Sequence, residues 1–256
     1  MSRPAMLVTG AASGIGRTVA RRFADRNWHV GLLDLDAETL ESVQAEMGLD
    51  HTSVHAADVS DPAAMEAAVE AFGAETDGRL DVLFNSAGVL TVGRFEDLDL
   101  EAHRRHFAVN LYGVVVAARS AFPLLRDTPG ARVISMASAS GIYGTPELSS
   151  YAASKAGVRS LTQSLNLEWA HHDIHVCDIL PPFVDSPMTR KALRSKSMDK
   201  LGIDLTPADV ADVVEEAVGE NKVHWPVGSQ FQWLYRLSEV LPSNLVRLIM
   251  RYVSGF

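Results

Sequence analysis

Short apolar runs alternate with helical patterns along the whole chain. Helical spacing is seen, for example, at Ile15, Val19 and Phe23 (i, i+4, i+8). The apolar runs lack strict alternation in several cases, as is typical of parallel strands buried on both faces. They are AMLVTG, HVGLLD, TSVHAAD, LDVLFNSAG, ARVISMAS and IHVCDILPP. Because parallel neighbours need crossover helices, this order predicts an α/β fold, a doubly wound domain with a central parallel sheet.

Composition limits the class of protein. The 256 residues contain no repeat or linker, so we expect residues 1–256 to form a single domain. A net charge of -9 argues against a nucleic-acid partner. The one cysteine, Cys177, cannot form an internal disulfide and lies in an apolar run, which predicts a buried thiol. Since no signal peptide or transmembrane helix is recognisable, we expect a cytoplasmic protein.

Ligands of doubly wound sheets bind beyond the carboxyl ends of the strands. The first run leads into TGAASGIG, in which Gly10, Gly14 and Gly16 would let the backbone approach a pyrophosphate. Asp34 ends the second run, where a carboxylate could accept bonds from both adenosine ribose hydroxyls and would repel a 2′-phosphate. Alternatively, the glycine stretch is a tight turn without a ligand and Asp34 is a solvated aspartate. If Asp34 does bind the ribose hydroxyls, the protein should prefer NAD to NADP.

Three further loops follow strand-like runs. Asp58 and Val59 follow the third run, and residues 85–88 (NSAG) follow the fourth. Both loops could line an adenine and its ribose, although either could be an ordinary turn. After the sixth run, Val184 and Ser186 stand in the order that a nicotinamide ring and its carboxamide would require.

The stretch SSYAASKAG places a tyrosine one helical turn before a lysine. Tyr151 and Lys155 would therefore share a helix face, with Val158, Leu165 and Trp169 near the same side. That stripe would face the sheet. The pair therefore lies on the inward side of its helix, where an ammonium would make a phenol easier to ionise.

Polar residues near this helix add to the candidate site. The preceding loop offers three hydroxyls, those of Ser135, Ser138 and Ser140. Asn110 lies in the apolar stretch HFAVNLYGVVVAA, and a buried amide requires a partner. We expect it either to kink its helix as a structural amide or to hold a water beside the site.

Together these motifs resemble the short-chain dehydrogenase/reductase family over nearly the whole chain. TGAASGIG is similar to the family's T-G-x3-G-x-G cofactor loop, and NSAG to its N-N-A-G motif with Ser86 in place of the second asparagine. PPFVDS is similar to P-G-x-x-x-T, with Pro182 replacing the glycine and Ser186 the threonine. Four residues match the catalytic tetrad in order and spacing: Asn110, Ser138, Tyr151 and Lys155.

The resemblance implies a Rossmann-type domain that uses a nicotinamide dinucleotide, NAD rather than NADP. Tyr151 would transfer the proton, with its pKa lowered by Lys155 and the positively charged oxidised nicotinamide, while Ser138 holds the substrate oxygen and Asn110 positions a water. It also implies a homodimer or homotetramer through the helices that contain Asn110 and Tyr151. The cofactor-binding residues implied are Gly10, Ser13, Gly14, Ile15, Gly16, Asp34, Asp58, Val59, Asn85, Ala87, Gly88, Tyr151, Lys155, Pro181, Val184 and Ser186.

The substrate is the least constrained part of the prediction. The loop residues expected to line the pocket are mostly apolar: Leu90, Ile142, Tyr143, Pro182, Val184 and Met188. They favour a hydrophobic alcohol or ketone that is steroid-, retinoid- or lipid-like. The irregular stretch 185–204, a predicted lid, carries basic residues that could instead receive an acidic carrier-bound substrate, as in a 3-oxoacyl thioester reductase using NADPH. A catalytically silent dinucleotide sensor is a further alternative.

The C-terminal segment predicts an amphipathic helix near residues 243–253. Its stripe consists of Leu245, Leu248, Ile249, Tyr252 and Val253. Packing on the core, on a partner subunit or over the substrate pocket is favoured over peripheral membrane contact.

The histidines form two groups along the chain, and neither has a matching carboxylate or cysteine set. No metal site is therefore expected. The groups are His103 with His106, and His171 and His172 with His175.

Overall fold

Seven parallel strands form one sheet, which confirms the predicted α/β fold. The computed structural model describes residues 3–238 and 240–254. The strands are β1 (Ala5–Thr9), β2 (His29–Asp34), β3 (Thr52–Ala56), β4 (Val82–Asn85), β5 (Arg132–Met136), β6 (His175–Leu180) and β7 (His224–Pro226). Their order is β3-β2-β1-β4-β5-β6-β7, so the chain reverses its winding direction between β1 and β4. Such a switch point opens a crevice at the carboxyl edge of the sheet.

Helices cover both faces of the sheet. Their bounds are α1 (Gly14–Ala24), α2 (Ala37–Met47), α3 (Pro62–Glu75), α4 (Leu100–Phe107), α5 (Gly113–Arg126), α6 (Ser149–Glu168), α7 (Pro187–Lys191), α8 (Lys196–Leu201), α9 (Pro207–Gly219), α10 (Ser229–Ser238) and α11 (Ser243–Ser254). Several begin at carboxylate caps. Asp61, for example, accepts the backbone N–H groups of Ala63 and Ala64 at 2.9 and 3.3 Å, with Pro62 at the first helical position.

The core has two layers, one on each face of the sheet. Within β1, Met6 and Val8 pack on the side of α1 and α9, whereas Ala5 and Leu7 pack on the side of α3 and α5. Both faces of the strand are therefore buried. This is why the strands carry continuous apolar runs rather than alternating ones.

Two features of the fold differ from the sequence prediction. The seventh strand, β7, was not predicted, because three residues carry too weak a pattern. The stretch 185–204 is not irregular, since it contains the short helices α7 and α8. Ser186 and Ser195 cap them by accepting the N–H groups of Thr189 and Met198.

One continuous helical stretch, Leu100–Arg126, is long and apolar enough to span a membrane by length and composition alone. It runs through α4, a π-helical turn and α5. Its buried residues, such as Val116 and Ala121, pack against α3 and the sheet. The stretch therefore has the packing of a core helix. Cys177 is also in the core, as predicted, and burial raises the pKa of its thiol to about 12.

Candidate active site

The loop between β1 and α1 forms a concave stretch of backbone. Gly10 has a φ of +72°, and a Cβ there would lie 2.7 Å from the backbone nitrogen of Ala87. A Cβ on Gly16 would lie 2.2 Å from the carbonyl oxygen of Gly10. Both positions therefore require glycine. Thr9 joins this loop to the one after β4, since its Oγ1 accepts the Ser86 and Ala87 N–H groups at 3.1 and 3.2 Å.

Asp34 lies at the carboxyl end of β2, beside this loop. Its Oδ2 accepts the Ala12 N–H at 3.1 Å, and its Oδ1 accepts the Leu35 N–H at 2.8 Å. These bonds fix the carboxylate at the wall of a cavity of about 420 Å³, and each oxygen retains a further lone pair. Gly14 lines the same cavity. A glycine cradle next to a fixed carboxylate has the chemistry that fits a dinucleotide's pyrophosphate and adenosine ribose.

The other predicted cofactor residues have different positions. Val59, Ala87 and Gly88 line this cavity, as do Ser13 and Ile15. Asp58 also lines it, but its Oδ1 accepts the N–H and Oγ–H of Ser60 at 2.8 and 2.7 Å and so shapes its own loop.

Asn85 is buried at the end of β4 and is not among the residues that line the 420 Å³ cavity. Its Nδ2 donates to Ser135 Oγ at 3.1 Å. The structure therefore places Asn85 in the core with Ser135 as its partner, and its predicted cofactor contact stays a prediction.

The segment after β6 closes one side of the site. Pro181 accepts the Ala139 N–H at 2.9 Å, and Val184 is buried in a β-bridge with Leu205. Ser186 lines both the 420 Å³ cavity and a second cavity of about 520 Å³. Ile15, Ser86, Gly88 and Met188 also line both. The two cavities are therefore adjoining parts of one crevice.

Tyr151 and Ser138 both line the 520 Å³ cavity. Ser138 lies close enough to the Tyr151 hydroxyl to lower its pKa. Ser138 Oγ accepts the N–H of Ser140 at 3.2 Å and its Oγ–H at 3.0 Å. Of the three serines, Ser138 is thus the one beside the tyrosine hydroxyl, and Ser140 holds it in place.

Lys155 lies one turn along α6 and is buried with Tyr151. Its Nζ is 5.9 Å from the centre of the Tyr151 ring and donates to the Met136 carbonyl oxygen at 2.6 Å. Sequence reasoning missed Met136, because a backbone acceptor leaves no trace in residue type.

Burial determines the ionisation of this pair. It raises the pKa of Tyr151 to about 12, against the opposing effect of the Ser138 hydroxyl. It also lowers the pKa of Lys155 to about 8. Burial therefore favours the phenol form of Tyr151 and the neutral form of Lys155. The lowering of the tyrosine pKa by Lys155 together with an oxidised nicotinamide stays a prediction.

Asn110 lies in the π-helical turn Ala108–Tyr112 and is fully buried. Its Oδ1 accepts the Val89 N–H at 2.8 Å, and its Nδ2 donates to the Val89 carbonyl at 3.0 Å and to Ser154 Oγ at 3.3 Å. The amide thus has protein partners on both atoms. The side chain therefore has a structural role, which ties the loop after β4 to α6, and the positioning of a water beside the site stays a prediction.

Two histidines form a hydrogen-bonded chain beside the tyrosine. His106 Nε2 accepts the Thr91 N–H at 3.0 Å, so its Nδ1 carries the proton and donates to Ser150 Oγ at 2.9 Å. Ser150 in turn contacts His103 Nδ1 at 2.8 Å, and His103 Nε2 contacts the Phe95 carbonyl at 3.1 Å. The His106 ring centre is 6.0 Å from that of Tyr151. These residues hold the loop after β4 against the catalytic helix.

Comparison with known proteins agrees with this arrangement. The family model described as short chain dehydrogenase matches residues 4–197. The chain belongs to the short-chain dehydrogenase/reductase family. Oxidoreductase UcpA of Salmonella typhimurium is 38% identical over 197 residues, covering 75% of this chain and 74% of the relative. Cyclohexanol dehydrogenase of Acinetobacter sp. is 30% identical over 233 residues, covering 88% and 91%.

A solved structure is similar over most of its length. A 3-ketoacyl-(acyl-carrier-protein) reductase from Brucella melitensis complexed with NADH has a TM-score of 0.79 and 28% identity, covering 87% of this chain and 96% of that one. Membership of the family makes this chain an oxidoreductase that uses a nicotinamide dinucleotide.

The larger cavity of this short-chain dehydrogenase adjoins Tyr151 and is mostly apolar. All six loop residues predicted to line it do so. The C-terminal helices form a further wall of this cavity. The sequence had left several positions for the last helix, and the structure shows the one over the pocket. The residues of this wall are Leu234, Leu237, Leu241, Val246, Ile249 and Met250. Of the predicted C-terminal stripe, Ile249 lines the cavity, while the Val253 side chain lies outside the described residues.

The basic residues of the predicted lid mostly have local partners. Arg190 makes a two-pronged contact with Asp185, both distances being 2.7 Å, and Arg194 Nε lies 2.7 Å from Asp199. Lys200 donates to the carbonyl of Tyr252. Because these basic side chains already have partners, fewer of them could bind an acidic substrate than the sequence indicates. Within the described ranges, no group of three or more His, Cys, Asp or Glu residues is placed to hold a metal ion.

Proposed function

We propose that this protein transfers a hydride between NAD(H) and an apolar secondary alcohol or ketone. The observation that carries the proposal is the 520 Å³ cavity. Tyr151 and Ser138 lie in its wall, and apolar side chains from several separate parts of the chain form most of the rest. A cavity of this size and lining is suited to a hydrophobic ring or chain compound. The relative named as a cyclohexanol dehydrogenase is consistent with such a substrate.

The site's own residues account for the proton chemistry. Ser138 and Tyr151 together hold the oxygen of the substrate, and Tyr151 Oη gives a proton to a ketone or takes one from an alcohol. NAD supplies the hydride donor or acceptor when bound. With its pKa raised to about 12, Tyr151 is ready to act as an acid in reduction. Oxidation needs the phenolate, which the positive charge of the oxidised nicotinamide and of protonated Lys155 would both favour.

Asp34 is the group that favours NAD over NADP in this proposal. Its fixed carboxylate would repel a 2′-phosphate and accept ribose hydroxyl protons. Titration with NADH and NADPH, followed by nicotinamide fluorescence, should show tighter binding of NADH. The substitution Asp34→Ser should lower the ratio of the Kd for NADPH to the Kd for NADH by at least about tenfold. Asp36→Ser is the matched control, because Asp36 only caps α2 and serine can replace it in that role. Equal preference in wild type and D34S would contradict the assignment.

Turnover of a graded set of substrates tests the substrate class. The set comprises cyclic and linear secondary alcohols of increasing size, a polyol and a 3-hydroxyacyl thioester. We expect kcat/KM to rise with apolar surface and the polyol to be poor. The similarity to a 3-ketoacyl reductase supports the thioester as a second candidate. Preference for the thioester would select that candidate. Binding of NADH without turnover of any compound would instead indicate a catalytically silent protein.

We also propose that the chain forms a homo-oligomer through α4–α6. Large apolar side chains are exposed on these helices, among them Phe107, Tyr112, Val115 and Leu167. Such a surface is typical of a subunit interface. Sedimentation velocity of wild type and of Val115→Glu should show a dimer or tetramer and its dissociation. A monomeric wild type would contradict this proposal.

A further inference from the structure

The two C-terminal helices and the turn between them expose apolar side chains to solvent, most of which do not line the cavity. We name it the C-terminal apolar patch, and it consists of Trp233, Leu234, Leu237, Val240, Leu245, Leu248 and Tyr252. Trp233 is 78% exposed and Tyr252 is 79% exposed. Nearly half of the large exposed apolar side chains identified in the described residues belong to this short segment. Soluble surfaces seldom carry such a concentration without a function.

Helix α11 shows how the patch is separated from the cavity. Successive residues are rotated by about 100° around a helix. Val246, Ile249 and Met250 occupy one side and line the cavity. Leu245, Leu248 and Tyr252 lie on the adjoining arc and are exposed. The apolar arc is therefore wider than lining the cavity requires.

Helix α10 repeats this division. Phe231 and Tyr235 pack against the protein, whereas Trp233 projects outward. Leu234 and Leu237 belong to both regions, since they are exposed and also line the cavity. The patch is therefore continuous with the rim of the cavity.

Positive charges border the patch in a chain that is otherwise acidic. The chain has a net charge of -9, but residues 229–254 contain three arginines and one carboxylate. Arg236, Arg247 and Arg251 are exposed. Arg247 and Arg251 follow each other around the polar side of α11, next to its exposed apolar arc. Lys200 adds a fourth cation, with its Nζ 5.0 Å from the Tyr252 ring centre.

We propose that the C-terminal apolar patch docks on an anionic lipid surface. Exposed Trp and Tyr side chains suit the boundary between headgroups and acyl chains, and the arginines would meet lipid phosphates. A second copy of the chain is a poorer fit, because a twofold contact through this patch would bring the positively charged border of one copy next to that of the other. Since the patch adjoins the cavity rim, a docked protein would present that rim to the bilayer. Docking itself does not depend on the reaction proposed above.

Vesicle binding by the full chain tests the proposal. The protein is sedimented with vesicles of phosphatidylcholine alone and of an equal mixture with phosphatidylglycerol. Binding should require the anionic lipid and weaken between about 0.05 and 0.5 M salt. Leu248→Gln should lower the partition coefficient about tenfold. Leu100→Gln, which changes a leucine on α4 that is more exposed than Leu248, should leave it unchanged. Arg247→Gln should lower it about fivefold at the lower salt concentration.

A spectroscopic measurement separates docking from misfolding of a variant. Trp233 is the most exposed of the four tryptophans, so its emission should shift to shorter wavelength on anionic vesicles. Trp233→Phe should abolish that shift while circular dichroism stays the same. The proposal is overturned if wild type does not bind anionic vesicles, or if Leu248→Gln binds as wild type does. It is equally overturned if Leu248→Gln changes the oligomeric state in solution, because a second copy would then cover the patch.

Discussion

Replacing Lys155 with methionine should stabilise the folded chain while abolishing activity. Burial lowers the pKa of Lys155 from 10.5 to about 8. Each pKa unit corresponds to about 1.4 kcal/mol, so the charged lysine costs the folded state about 3 kcal/mol below pH 8. Methionine avoids that cost but loses the hydrogen bond to Met136, which is worth about 1 kcal/mol. The net gain at pH 7 should be about 2 kcal/mol, or about 4–8 °C in Tm.

The sign of the pH dependence gives this prediction a second test. The unfolded lysine keeps its proton up to about pH 10.5, whereas the folded one releases it near pH 8. The stability of the wild type relative to K155M therefore rises between pH 8 and pH 10.5. Urea unfolding at pH 7 and pH 10 gives the difference in the free energy of unfolding between wild type and K155M. Contributions from other titrating groups are the same in both proteins and cancel in this difference. The exposed Lys191→Met is the control and should change stability by less than about 0.5 kcal/mol. The reasoning would be refuted if K155M were no more stable than wild type at pH 7. It would also be refuted if the gain in the free energy of unfolding over wild type were the same at both pH values.

Three further predictions follow from single contacts. Gly16→Ala should destabilise the chain by several kcal/mol or prevent folding, because its Cβ would lie 2.2 Å from a backbone oxygen. Thermal unfolding measures the effect, and Gly144→Ala is the control that should leave Tm unchanged, since the space around Gly144 is open. Ile249→Trp should lower kcat/KM about tenfold or more for large alcohols and little for the smallest, since it fills the cavity; an equal loss for all sizes would contradict this. Burial lowers the pKa of His106, so the free energy of unfolding of the wild type should fall as the pH drops below about 6.5. The fall should be smaller in His106→Gln. Identical pH profiles of the two proteins in urea unfolding would contradict a role for His106.

Much of the fold and part of the site follow from local pattern. The strands were recognisable because burial on both faces makes each one a continuous apolar run, and β1 shows both faces in use. The cavity-lining loop residues were found because parallel strands deliver all their carboxyl ends to one edge. The placement of Ser138 and Tyr151 in the wall of one cavity agrees with the 13-residue step between them, which the family resemblance makes specific.

Other features depend on tertiary packing and have no local signal. β7 is only three residues long, and its position at the sheet edge is fixed by pairing with β6. The apolar wall formed by α10 and α11 depends on where the chain returns after β7. The effect of burial on the pKa of Tyr151 could not be read from the sequence, because it depends on the packing around α6. Thr9 accepts from backbone N–H groups, and Met136 accepts through its own backbone carbonyl, so residue type reveals neither contact.

The most direct test of the proposed function compares wild type with Tyr151→Phe in one assay. Formation of NADH from NAD+ is followed with the best apolar secondary alcohol of the set, and NADH binding is measured by fluorescence for both proteins. The account predicts turnover by wild type, loss of at least about 100-fold in kcat for the variant, and an unchanged Kd for NADH. Turnover that survives in Tyr151→Phe, or a wild type that binds NADH and oxidises none of the alcohols, would contradict it.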